Sequence, residues 1–179
     1  MRDQSESTEV VSRFGAVALE FCSVVESASR LERTRLLTEV YRLLPKLLNE
    51  ATKLPCIRTK DEDDASHKDE DSSPHRNARM TYEQWEQIYS LLKEKLGDWD
   101  PYRQVFDPTT DKEAVCGTVA DEIADIYRDL EEGLVLSQMQ GVRPEDVIWE
   151  WRLGYYSHWG HHAINALLTI HFRLQGVLE

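Results

Sequence analysis

No apolar run in this 179-residue chain approaches the roughly 20 residues that a bilayer span requires. The opening Met1-Arg2-Asp3-Gln4-Ser5-Glu6 lacks the apolar core of a signal peptide. Cysteine is scarce: Cys22, Cys56 and Cys116 are odd in number, far apart and without metal-type spacing, which reads as reduced thiols. Together these absences predict a soluble cytoplasmic protein. Positive charge is also short, with 21 Lys and Arg against 33 Asp and Glu and a formal charge of −12. Such a surface repels phosphate backbones and anionic lipid, so the reading is no nucleic acid and no membrane partner. No Glu-x-x-His pair occurs, which argues against a ferritin-like di-iron bundle. No nucleophile has a base beside it in sequence, so no catalytic residue is assigned. Cys116 reads as a buried or inert thiol.

What is present is helical periodicity. Residues 1–8 form a polar tail, and residues 9–179 read as one helical domain. Val10, Phe14, Val17, Phe21 and Val25 recur at three- and four-residue steps, predicting an amphipathic helix from Glu9 to about Ser29. A second spans roughly Leu31 to Lys53, with a kink or break near Tyr41 caused by Pro45. Only residues 32–35 remain as a turn, so the pair is an antiparallel hairpin. Residues 56–80 carry runs such as Lys60-Asp61-Glu62-Asp63-Asp64, with almost nothing to bury, and predict a mobile acidic insert. Its His67 and His75 are not assigned to a site.

Thr81-Tyr82-Glu83-Gln84 has capping-box spacing, and Trp85, Ile88, Tyr89, Leu92 and Leu96 mark the buried stripe that follows, closed by Gly97. Residues 98–117 read as a packed loop or short turn, since Trp99, Tyr102 and Phe106 are too apolar for a linker. Thr118 caps a further helix to about Met139. Val119, Ile123, Ile126, Leu130 and Leu134 form its apolar face, and Glu122, Asp125, Asp129 and Glu132 share an adjacent one. Gly141 ends that helix and Pro144 starts the last, with Glu145 and Asp146 against its positive end.

The segment from Pro144 to about Leu174 holds Trp149, Trp151, Trp159, Tyr155, Tyr156 and four of the six histidines. At 100° per residue, Trp151, Tyr155, His158, His162, Asn165 and Thr169 share one stripe, while Leu153, Trp149, Tyr156, Ala163, Leu167, Ile170 and Leu174 spread over the other side. A helix apolar nearly all round is expected at the centre of a bundle, about 45 Å long if unbroken. Gly154 and Gly160 mark a close helix approach or a break near Gly160. The predicted fold is therefore all-α, a single compact bundle of about five main helices around a buried C-terminal helix. The polar step of His158, His162 and Asn165 inside that helix calls for partners, and Asp125 and Asp129 are the expected ones.

The run Ala120-Asp121-Glu122-Ile123-Ala124-Asp125-Ile126-Tyr127-Arg128-Asp129-Leu130 resembles the best-marked motif of the DUF5063 family of bacterial proteins. His158-Trp159-Gly160, Asn165-Ala166-Leu167 and His171 fit the same family, and Leu43-Leu44-Pro45-Lys46-Leu47 and Tyr102-Arg103-Gln104-Val105-Phe106 fit its earlier blocks in order. The resemblance covers roughly Val10 to Phe172 outside the acidic insert. It implies a single helical domain of unknown function and no catalytic residue. Leu168 stands where the family block has arginine, so no arginine role carries over.

Three functions fit the residues. The preferred reading is a non-enzymatic interaction or regulatory domain whose acidic body and acidic insert bind another protein, with oligomeric state open. The first alternative is a divalent-metal protein: His158 and His162, four apart on one helix, with Asp125 or Asp129 completing the set. No other cofactor is called for. The second alternative is a Mg²⁺-dependent hydrolase resembling the all-α nucleotide pyrophosphatases, with Glu83-x-x-Glu86 and Glu122-x-x-Asp125 as its acidic pairs.

Overall fold

The computed structural model describes residues 4–57 and 77–176, with side chains from residue 6 onward. Six α-helices are formed by these residues: α1 Gln4–Glu26, α2 Arg33–Ala51, α3 Tyr82–Leu96, α4 Val119–Gln138, α5 Pro144–Ser157 and α6 Trp159–Gln175. Most of the expected acidic insert (residues 58–76, including His67 and His75) lies outside the described residues. Helix α1 begins at Gln4, so residues 4–8 of the expected polar tail are helical. No helix among the described residues is long and apolar enough to cross a membrane.

The first two helices are antiparallel, as their short connection requires. Arg13 pairs with Glu50 at 2.8 Å and Glu20 with Lys46 at 3.8 Å, so early residues of one meet late residues of the other. The reversal falls at residues 27–32, earlier than expected, through a 3₁₀ turn at Ala28–Arg30. Pro45 does not break α2. It removes one ladder bond from a helix whose Leu36, Leu37, Val40, Leu43, Leu44 and Leu47 are all buried, and that packing carries the helix through. The Thr81–Gln84 capping box forms in both directions. Gly97 and Gly141 take positive φ, +55° and +86°.

Residues 98–117 hold more order than a packed loop. Strands β1 (Pro101–Gln104) and β2 (Val115–Thr118) pair antiparallel, with Tyr102 opposite Gly117. Pro101 is the first residue of an edge strand, where a missing N–H costs no ladder bond. The hairpin is fastened to α4 by a buried carboxylate: Asp100 Oδ1 accepts from the Ala120 amide at 2.7 Å, alongside the Thr118 cap on Asp121. Burial pushes the Asp100 pKa above the ordinary carboxylate range, while the amide bond pulls it down.

The helix at the centre is α4 rather than the C-terminal one. Thirteen of its twenty residues are buried, against seven of seventeen in α6. It runs antiparallel to α3, with Trp85 meeting Asp125 and Met80 meeting Glu132, and antiparallel to α6, with Glu122 meeting His162. On its remaining side Trp151 of α5, wedged against Phe14 of α1 at 4.7 Å, donates to the Leu130 carbonyl. The C-terminal segment is two helices rather than one, parted at His158 (φ −145°, ψ −85°), two residues before the Gly160 break that its sequence allowed. The break lets the chain fold Trp151 and Trp159 into one core, both fully buried, which a straight helix of that length would carry past the bundle. Leu153 and Tyr156, expected to be enclosed, are exposed, and so are Ile164, Leu168 and Phe172.

Candidate metal site

The acidic stripe of α4 enters the core because each member meets a partner from another element. Glu132, at the far end, takes Arg79 Nη1 at 2.6 Å and the Met80 amide at 3.0 Å. Asp129 accepts from His158 Nδ1 at 2.8 Å. Asp125 takes the Trp85 indole N–H at 3.0 Å and Arg128 at 3.0 Å. Glu122, 2 % exposed, takes His162 Nδ1 at 2.6 Å and the Tyr102 hydroxyl. Tyr102 reaches it because its ring lies over Gly117, where any β-carbon would stand about 3.0 Å from the phenol.

Both histidines are thus held by a carboxylate on Nδ1, which fixes the ring and turns Nε2 inward. That is how metal-binding histidines are normally oriented by their outer partners. His162 Nε2 lies 3.4 Å from Asp125 Oδ2. Two ligands about 2.1 Å from a tetrahedral ion are about 3.4 Å apart, so this pair already has the spacing a metal would impose. One ligand atom each from Asp125, His158 and His162 lie within 4.8 Å of one another. His158 occupies the break between helices, where the chain doubles back so tightly that a β-carbon on Gly160 would fall 2.1 Å from the Tyr155 carbonyl oxygen.

The centre of this arrangement is bridged by a guanidinium. Arg128 Nη2 is 3.0 Å from Asp125 and 3.1 Å from His158 Nε2. Arginine can only donate, so Nε2 presents its lone pair to it. The hydrogen bond to Asp129 holds the His158 pKa above the ordinary histidine range, against burial, which lowers it. His161, whose ring is 4.0 Å from that of His162, falls below it through burial and its histidine neighbour. The Tyr102 phenol is pushed well up by burial and by its bond to Glu122, so it remains a donor. Asp121 is also raised, through burial and the nearby Asp125.

Of the four residues the sequence singled out, Asp125, His158 and His162 converge, while Asp129 stands behind His158 and orients it. Asn165 lies one turn further along α6 and lines the concavity between that helix and the hairpin. The four-carboxylate magnesium site is not assembled. The side chain α3 directs at Asp125 is Trp85, and Glu83 is exposed while Glu86 bonds Tyr82. Cys116 is exposed on β2, and the buried thiol is Cys22, whose pKa burial drives far up. Sequence reasoning missed Arg128, Trp85 and Tyr102. Arg128 was detectable, since it sits between Asp125 and Asp129 on the same helix.

The fold recurs in a solved structure, the crystal structure of protein BF1032 from Bacteroides fragilis. It superposes with a TM-score of 0.70 over 90 % of each chain at 21 % identity. Comparison with curated proteins gives no match. Residues 5–175 match the family described as a domain of unknown function, DUF5063, and because that match spans nearly the whole chain, the protein belongs to this family.

Proposed function

We propose that this protein binds one divalent first-row transition metal through Asp125, His158 and His162, with Asp129 and Glu122 setting the two imidazoles. The observation that carries this reading is the paired anchoring: a carboxylate on each Nδ1 leaves His162 Nε2 3.4 Å from Asp125 and His158 Nε2 on the guanidinium that Asp125 also binds. Two histidines and one carboxylate suit Zn²⁺ or Fe²⁺ better than Mg²⁺, which prefers oxygen ligands and water. Arg128 bridges Asp125 and His158 where the ion would sit and competes with it as a cation. Its side chain is 30 % exposed, so it has a route out to solvent when an ion takes its place. An ion held by three protein ligands would keep positions for further ligands. No catalytic residue is assigned beyond this. The cytoplasm is the proposed address, since reduced thiols and a transition-metal site suit it.

The test is metal content of freshly purified protein by inductively coupled plasma spectrometry, followed by titration with Zn²⁺, Mn²⁺ and Fe²⁺. One equivalent per chain and a raised melting temperature are expected, both lost in Asp125→Ala and His162→Ala. Arg128→Met removes the competing cation and should tighten binding. No stoichiometric metal and no melting shift with any ion would sink the reading, leaving a structural His–Asp network. The interaction reading rests mainly on the acidic stretch, most of which lies outside the described residues.

A further inference from the structure

A second concavity lies between the hairpin and α6, independent of the metal reading. It measures about 720 Å³ and runs along Phe106, Ile164, Leu168 and Phe172, four large apolar side chains that are each more than half exposed. That volume is within the range of pockets for small organic ligands. Leaving so much apolar surface in water is unfavourable by about 25 cal/mol per Å², so the groove invites an apolar occupant.

Its charge is unlike that of the rest of the molecule. In a chain of net charge −12, none of the described residues lining the groove is acidic, and Arg103 and Arg173 both line it. Each arginine spends a bond on a backbone carbonyl (Arg103 on Ala114 at 3.3 Å, Arg173 on Pro101 at 2.8 Å) and neither pairs with a carboxylate among the described residues. Those bonds orient the guanidinium forks and leave other N–H groups over.

We infer that this groove binds a small amphipathic carboxylate: an aliphatic or aromatic body along Leu168 and Phe172, with its carboxylate on a guanidinium of the wall, Arg103 or Arg173. Arginine forks match carboxylate oxygens two at a time, which selects an anion over a neutral or cationic molecule of the same shape. A second copy of the chain fits less well, because its net −12 surface would meet this one at close range.

The experiment uses the full chain and the fluorescence of 1-anilinonaphthalene-8-sulfonate, displaced by dodecanoate or by dodecyltrimethylammonium below their micelle-forming concentrations. Dodecanoate should displace the dye at concentrations about tenfold lower than the cation. Leu168→Asp, at an exposed position, should abolish dye binding with an unchanged melting temperature. The pair Arg103→Gln with Arg173→Gln should weaken binding of the sulfonate dye without abolishing it and erase the preference for dodecanoate over the cation. Equal displacement by the two surfactants, or binding that survives Leu168→Asp, would overturn the inference. So would a sedimentation result showing a dimer that Leu168→Asp dissolves, since the groove would then be an interface between copies. Loss of metal leaves each of these readouts in place, so failure here is separable from failure of the metal reading.

Discussion

Gly133→Ala offers a sharp test of how the core sets the site, because two local rules predict opposite signs. Gly133 lies inside α4, where alanine is favoured over glycine by about 1 kcal/mol. A β-carbon there, however, would stand 2.0 Å from Trp151 Nε1, 2.5 Å from Cδ1 and 2.6 Å from Cε2. Normal contact is about 3.5 Å, so α5 must retreat by roughly 1.5 Å or the indole must turn. It has nowhere to turn: Trp151 is 1 % exposed, and its ring lies tilted against that of Phe14 at 4.7 Å. Overpacking costs about 1–3 kcal/mol, and the indole bond to Leu130 adds about 1 kcal/mol when broken. Against the propensity gain, a net loss of about 1–3 kcal/mol follows, or a melting temperature about 2–12 °C lower. Gly15→Ala is the control. It makes the same change within α1, but the nearest atom, on the same tryptophan, is at an ordinary 3.4 Å, so the protein should be stabilised slightly. Thermal melts followed by circular dichroism decide. If Gly133→Ala melts at or above the wild-type temperature, the close packing of α4 on α5 is wrong. Because Trp151 also accepts from Trp159 at 3.3 Å, the displacement should reach the His158 corner and weaken metal binding too.

Two further outcomes follow from the charged groups. Glu122→Gln keeps the shape but removes the charge from the His162 bond, and about 1.5–3 kcal/mol of stability should go with it. The same variant should lower metal affinity about 10–100-fold, read by calorimetric titration, whereas unchanged affinity would show that Glu122 does not orient the ring. Glu50 lies below the ordinary glutamate range, chiefly through its bond to Lys53, with Arg13 adding to it. A lowered carboxylate stabilises the fold above its unfolded pKa and loses that contribution as pH falls through the folded one. Glu50→Gln should therefore melt lower than wild type at pH 7 and converge with it in acid, below the ordinary glutamate range. A gap that persists unchanged at pH 2 would refute the assignment.

The periodic stripes of the sequence read through to the structure where one helix face decides everything. Phe14, Phe21 and Val25 are buried in α1, and Thr81 and Thr118 cap their helices. Local signals also marked the acidic face of α4, because four carboxylates at three- and four-residue steps beside a buried stripe must either be solvated or paired. What failed was the C-terminal segment. Its aromatic residues on every side implied a central helix, yet Trp151 and Trp159 are buried while Tyr156 is 64 % exposed. Hydrophobicity alone does not distinguish a residue that packs from one that lines an open groove. The hairpin failed similarly, since a four-residue strand has no periodicity to detect.

By itself, then, the sequence determined the helical class, the caps at Thr81 and Thr118 and the candidates Asp125, Asp129, His158 and His162, all of which follow from spacing along one helix or from the chemistry of single side chains. Tertiary structure decided which atoms meet. The break at His158 turns two histidines from a shared helix face into two anchored rings, and Asp129, Glu122, Arg128 and Tyr102 take their roles from approaches across 20 to 40 residues of chain, Arg128 to His158 at 30 and Glu122 to His162 at 40 among them. Such approaches depend on how α4 packs against its neighbours, and no local pattern encodes that register.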